Sequence, residues 1–248
     1  MRAGLVQLNC SDDPAENLPV TLAYIEQAAQ AGAGFVLTPE VTNCVSASRS
    51  RQRHVLRFEN EDPTLEALKD AAARLDIWLL IGSLALKTDD RDGRFANRSF
   101  LIRPDGGIAA RYDKIHMFDV DVSPTESYRE SAGYRPGTAS VVAETPFGQV
   151  GMTVCYDVRF PHLYRQLALA GADILTVPSA FSPVTGAAHW ETLLRARAIE
   201  TGSYVLAPAQ TGTHAASVGK VRATFGHSMA VGPWGDILAD GGTEPGVV

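Results

Sequence analysis

Short apolar runs alternate with helix-length amphipathic stretches along this chain, and that alternation restricts its fold more than any other feature. Leu5 to Asn9 reads as a strand. Asp12 or Asp13 can cap a helix whose first turn accepts Pro14, and apolar spacing through Leu18, Leu22, Ile25 and Ala29 carries it to a stop at Gly32 and Gly34. Phe35 to Thr38 is the next strand, Thr64 to Leu75 a helix, and Ile77 to Leu86 a strand around Gly82. Asn97 to Ile102 and Ile108 to Tyr112 flank Pro104-Asp105-Gly106-Gly107, a hairpin signal. Gln149 to Val154 is a strand, followed by a helix to about Gly171 and a strand from Ile174 to Val177. A helix from His189 to Thr201, a strand from Tyr204 to Ala207 and a pair around Ser228–Val231 and Ile237–Ala239 complete the series. Mixed α/β order with hairpins implies a sheet with one face packed on a second sheet and the other covered by helices.

Three strand ends carry reactive side chains. Cys155 closes Gln149–Val154, at the carboxyl end of a parallel-type strand where open α/β sheets place their chemistry. A free cysteine is more often a small buried hydrophobe, so position alone does not make it a nucleophile. Glu40 follows Phe35-Val36-Leu37-Thr38-Pro39, where proline ends the ladder, and Lys114 follows the run Ile108 to Asp113. Taken singly, Glu40 and Lys114 read as solvated loop charges. Converging, a glutamate, a lysine and a cysteine make a base, a cation for an oxyanion and a nucleophile.

The ordered landmarks Thr38-Pro39-Glu40, Asp113-Lys114-Ile115-His116-Met117-Phe118-Asp119, Cys155-Tyr156-Asp157-Val158-Arg159-Phe160-Pro161, Pro178-Ser179-Ala180-Phe181 through Arg195-Ala196-Arg197, and Gly226-His227-Ser228-Met229 resemble the carbon–nitrogen hydrolases of the nitrilase superfamily, in their Nit-type amidase branch. The resemblance covers essentially the whole chain. It implies a four-layer α-β-β-α sandwich, a single domain over 1–248, no cofactor, no metal, and a homodimer or higher homo-oligomer. It also implies a second catalytic glutamate, Glu130, with Glu126 as the neighbouring alternative. Two departures stand out: His162 replaces the glutamate that usually follows Pro161, and the chain stops at Val248 where relatives continue through another strand and a tail.

Composition removes other classes. A net charge of -6 disfavours nucleic acid, which wants a clustered basic face. The cluster Arg49-Ser50-Arg51-Gln52-Arg53-His54 is short and offset by acidic residues, and reads as a loop or a solvated helix face. Three cysteines without metal-like spacing fit a reducing cytosol, and no apolar run approaches the roughly 18 residues of a membrane helix. The expected location is cytoplasmic.

By resemblance, then, Glu40 takes the Cys155 proton, Cys155 attacks an amide carbonyl to give a thioester, and Lys114 with the backbone N–H after Cys155 holds the oxyanion. Tyr156, Arg159, Phe181 and Thr185 would contact the substrate, with Arg159 either gripping a carboxylate or bracing the turn through Asp157. The substrate would be a small carboxylate-bearing primary amide cleaved to acid and ammonia. The run Thr185-Gly186-Ala187-Ala188-His189-Trp190 with Ala209-Gln210 resembles the deaminated-glutathione branch more closely than the branch acting on ω-amides of 2-oxo acids such as 2-oxoglutaramate, which favours deaminated glutathione. A redox thiol protein and a catalytically silent binder are the rival classes. The first needs a low-pKa Cys155 with a resolving partner, which Cys10 and Cys44 do not suggest by spacing.

Overall fold

The computed structural model describes residues 1–123 and 126–248. Its strands are β1 (Ala3–Gln7), β2 (Phe35–Leu37), β3 (Trp78–Leu86), β4 (Ala96–Ile102) and β5 (Ile108–Asp113), then a hairpin of β6 (Asp119–Ser123) and β7 (Glu126–Arg129). They continue as β8 (Val141–Thr145), β9 (Gly148–Met152), β10 (Ile174–Thr176), β11 (Tyr204–Ala207), β12 (Thr211–His214), β13 (Arg222–Phe225), β14 (Met229–Val231), β15 (Ile237–Asp240) and β16 (Gly246–Val247). The helices are α1 (Pro14–Gln30), α2 (Arg49–Val55), α3 (Pro63–Leu75), α4 (Pro161–Leu169) and α5 (Pro183–Thr201).

Two six-stranded sheets result, in the orders β16-β1-β2-β3-β4-β5 and β15-β14-β11-β10-β9-β8. Each has a parallel centre, β1-β2-β3 in one and β9-β10-β11 in the other, flanked by antiparallel strands. Alternation along the strands sorts side chains between two cores. Leu5, Leu37, Leu80 and Leu101 face a core shared with Val150, Met152 and Leu175 of the other sheet. Val6, Val36, Leu79 and Ile102 face a core shared with Ile25 of α1 and Leu68 of α3. Helices α4 and α5 cover the far side of the second sheet through Leu163, Leu167, Trp190 and Leu194. The layers run α-β-β-α, as the sequence led us to expect.

The caps explain the helix boundaries. Asp13 accepts a hydrogen bond from Ala15 N and caps α1, and Asp62 accepts one from Leu65 N and caps α3. The helix expected from His189 begins earlier, at Pro183, because Ser182 accepts from Thr185 N and proline suits the first turn. Gly186 sits inside it because a Cβ there would lie 2.3 Å from the Phe225 ring. The basic cluster read as a loop or a solvated face forms α2, with Ser48 as its cap.

Candidate active site

The first sheet supplies a carboxylate. Chain β2 ends at Leu37, and Thr38-Pro39-Glu40 crosses its carboxyl edge over Gly82, where a Cβ would lie 2.0 Å from Thr38 O and 2.5 Å from Pro178. Glycine at 82 therefore lets Glu40 approach the strand end of the opposite sheet. The next residue, Val41, is β-branched with φ of 48°, and its N–H donates to Ser83 Oγ at 2.8 Å. Such a conformation persists only where the surroundings hold it.

The second sheet supplies the thiol. Cys155 opens a 3-10 turn, Cys155–Arg159, with φ of 51°, and its N–H donates to Pro178 O at 2.9 Å. Asp157 is fully buried beneath the turn. It accepts from Val154 N at 2.9 Å, Tyr112 Oη at 2.7 Å and His116 N at 3.0 Å, and lies 2.7 Å from His116 Nδ1. Arg197 of α5 adds a bond from Nε to Val158 O at 2.8 Å. The turn is thus braced by Tyr112, His116 and Arg197. Arg159 makes no ion pair with Asp157, so that bracing role is corrected.

Between the sheets lies a buried charge cluster. The Lys114 ammonium donates to Glu40 Oε1 at 2.8 Å and to both Glu130 oxygens at 2.9 Å. Asn97 Nδ2 also donates to Glu40 Oε1 at 2.8 Å, and Ala180 N donates to Glu40 Oε2 at 2.9 Å. Glu130 is held in turn by Phe118 N at 2.6 Å. Glu40, Lys114 and Cys155 are 5%, 2% and 7% exposed, so these contacts act where water screens little. Glu126 has its side chain outside the described residues.

The environment sets the protonation states. Burial pushes Glu40 up, but the adjoining Lys114 charge and the donors from Lys114, Cys155 and Asn97 outweigh it and hold the carboxyl below its usual range. Burial pulls Lys114 down, and Glu130 and Glu40 more than reverse this, so it stays a cation. Burial pushes the Cys155 thiol well up and the Glu40 charge adds to the rise, against Lys114 and the Ala180 N–H. At rest the site holds a carboxylate, an ammonium and a neutral thiol, the state from which a base can take the thiol proton as attack begins.

These groups line one cavity of about 610 Å³, together with Tyr156, Phe181 and Thr185, a volume in the usual range for small-molecule sites. Arg159 is not part of this lining. Its guanidinium lies 5.8 Å from the centres of the Tyr156 and Phe181 rings, and Nη2 is 3.1 Å from His189 Nδ1. Cys44 also lines the cavity, with its thiol pushed up to about 12 by burial. A more open depression of about 790 Å³ around Glu59, Arg98 and Arg111 is larger, but several of its charges are paired, as in Arg111 to Glu59 at 2.7 Å and Lys69 to Glu66 at 2.8 Å. His162, the departure beside Pro161, is exposed on α4.

Sequence reasoning missed Asn97. It is 2% exposed and turns its amide toward Glu40, while its Oδ1 has no partner among the described residues. The available signal was a polar residue within the apolar run Ala96 to Ile102.

Fold and site together define an enzyme that breaks amide carbon–nitrogen bonds: the chain belongs to the carbon–nitrogen hydrolase family, whose profile matches residues 2–248. Within the nitrilase superfamily its relatives are Nit-type amidases. It is 44% identical over 94% of its length to a deaminated glutathione amidase of Yersinia enterocolitica, spanning 80% of that protein. The structure superposes on the C. elegans NitFhit protein with a TM-score of 0.91 at 34% identity, covering 99% of this chain and 58% of that one. A glutamate-to-glutamine mutant of the Nesterenkonia sp. AN1 amidase, solved with acrylamide added at its active-site cysteine, matches with a TM-score of 0.83 at 27% identity. That comparison covers 100% of this chain and 91% of the other.

Proposed function

We propose that Cys155 is the nucleophile, Glu40 the general base and acid, and Lys114 the oxyanion cation, with Glu130 fixing Lys114. The observation that carries this reading is the single ammonium held between two carboxylates, one of which also faces the thiol. Glu40 takes the Cys155 proton as sulfur attacks the carbonyl carbon. The oxyanion meets Lys114, one of whose three N–H donors turns toward it from the second Glu130 oxygen, with one still serving each carboxylate. The Tyr156 N–H, in the first turn of a helix and without an intrahelical acceptor, is the second donor. Glu40 then passes its proton to the departing nitrogen and later takes one from the water that opens the thioester.

The substrate we assign is deaminated glutathione. The name borne by the relatives supports it, as does the size of the cavity. Deaminated glutathione carries secondary amides, so the leaving group is an amine and the primary amide and ammonia expected from the sequence are corrected, whereas an ω-amide such as 2-oxoglutaramate would release ammonia. Arg159, beside the Tyr156 and Phe181 rings, is the candidate partner for the carboxylate next to the oxo group. The redox alternative fares worse, because it asks for a readily ionised Cys155.

We further propose a homodimer in the cytoplasm. Ile199, Trp234 and Leu238 are large exposed apolar residues near the α5 and β15 side, and Trp234 is 91% exposed. No helix among the described residues is long and apolar enough to cross a membrane.

Incubation with deaminated glutathione and with 2-oxoglutaramate, followed by mass spectrometry of the products, tests the assignment. Cleavage of the first to 2-oxoglutarate and a dipeptide supports it. Cleavage of 2-oxoglutaramate alone would make the protein an ω-amidase.

A further inference from the structure

The two ends of the catalytic cavity differ in sign. At its deep end the carboxylates of Glu40 and Glu130 surround the one ammonium of Lys114, which leaves an excess of negative charge. At its mouth stand Arg49, Lys220 and Arg222. Among the described residues none of these three has a carboxylate within ion-pair distance, although the protein as a whole carries a net charge of -6. Other cations nearby are engaged. Arg129 pairs with Asp121 at 2.7 Å, and Arg51 pairs with Asp13 at 2.9 Å.

The mouth is also built, not merely charged. Asp12, 3% exposed, accepts from Ser217 N at 2.8 Å and Ser217 Oγ at 2.9 Å, which ties the loop bearing Lys220 to the neighbourhood of α2. Gly219 lies against Ser48, where a Cβ would come within 3.1 Å, so Lys220 is held beside the first turn of α2. The Arg49 guanidinium rests on Gly133, where a Cβ would lie 3.1 Å from Nη2. Arg222 sits opposite His214 in the β12–β13 ribbon. Groups fixed in this way lose little freedom when they bind, which is what turns loose surface charge into selectivity.

We propose that Arg49, Lys220 and Arg222 form a carboxylate-binding rim that holds the far end of an elongated anionic amide while its carbonyl lies at Cys155. The charge gradient keeps the anionic tail at the mouth, where the rim attracts it and the deep carboxylates repel it, while the carboxylate of the acyl end, which enters, is the one assigned to Arg159. The rim rests on the reading of a substrate with a second carboxylate, which in deaminated glutathione is that of the glycine end.

Calorimetric titration of the non-hydrolysing Cys155→Ala protein with deaminated glutathione, and with the same molecule carrying a carboxamide in place of the glycine carboxylate, tests the rim. The acid binds more tightly than the carboxamide by about tenfold at low salt, roughly what a partly screened charge-assisted contact supplies, and added salt erodes the difference. Arg222→Gln, Lys220→Gln and Arg49→Gln each reduce the preference, and the Arg49→Gln/Arg222→Gln pair removes it while binding of the carboxamide is kept. Arg53→Ala, which removes the same charge from the exposed side of α2, leaves the preference intact, and thermal melts show that the variants are folded. Equal binding of acid and carboxamide overturns the rim, as does a preference that survives the double variant, or a loss of both ligands by the same factor. Turnover by the unmodified enzyme is read separately. A rim-dependent preference without cleavage of deaminated glutathione would remove the proposed substrate and keep the rim.

Discussion

The deep end and the mouth of the cavity show two ways of using charge. In the deep end Lys114 is 2% exposed and meets two carboxylates that are themselves fixed by Asn97, Ala180 N and Phe118 N. At the mouth Lys220 is exposed and Arg49 and Arg222 are half-buried, all three without an acidic partner among the described residues. Buried charge of the first kind is costly unless complete, and its geometry is then hard to disturb. Charge of the second kind is screened, tolerant of change, and available to a ligand. On the proposed reading, chemistry belongs to the first region and selection to the second. Variants of the two should therefore fail in different ways.

The largest effect is expected at Lys114. Lys114→Met removes the proposed oxyanion cation and should lower kcat by about 10²–10³. It also leaves Glu40 and Glu130 facing each other without a counter-charge, and breaking a buried pair typically costs about 3–5 kcal/mol. Chemical denaturation should show that loss. A variant with unchanged stability and near-normal kcat would place Lys114 outside the centre.

Glu130→Gln comes next, with an expected fall in kcat on the order of 10² from a misplaced lysine and a smaller change in KM. Glu126→Gln is the control and should do little. A reversed ranking would exchange the two glutamates.

Asn97→Ala should cost about tenfold at neutral pH and is read best from the pH profile. The Glu40 pKa is held low against burial by Lys114 and by donors that include Asn97. A depressed carboxylate contributes its stabilisation above its unfolded pKa and loses it as pH falls through the folded value. Removing one donor raises the folded value, so the acid limb of kcat/KM should move to higher pH. An unmoved limb would reduce Asn97 to a packing residue.

The smallest effect is expected at Arg159, which is not part of the cavity lining and sits beside the Tyr156 and Phe181 rings. Arg159→Lys should raise KM for carboxylate-bearing amides several-fold, with the turnover of a neutral amide and the Tm unchanged, since lysine lacks the fork that grips a carboxylate. Equal losses on charged and neutral amides would make it a support for the Tyr156 and Phe181 rings.

What the sequence made legible follows the same division. Glu40 and Cys155 could be read because each follows a short apolar run that ends abruptly, one at Pro39 and the other at a turn into a helix. Strand ends of that kind announce themselves locally. Asn97 did not, because its role depends on β4 lying across the sheet from Glu40, 57 residues earlier in the chain. The helix α2 and the β12–β13 ribbon were also obscure. Their sequences are polar and short, and they are held by tertiary contacts such as Asp12 to Ser217 and His214 Nδ1 to Cys10 O at 2.8 Å, which no local pattern encodes. The mouth was therefore hidden in the sequence while the catalytic centre was open to view.

The central claim is that a neutral Cys155 thiol, deprotonated by Glu40 during attack, carries the acyl group. Rapid mixing with a cleavable amide, acid quenching and peptide mass spectrometry test it most directly. The account predicts a transient mass increment equal to the acyl group on the peptide containing Cys155, absent from Cys155→Ala, which should also have lost hydrolysis. Sustained hydrolysis by purified Cys155→Ala, or an acyl group found on another residue, would contradict it.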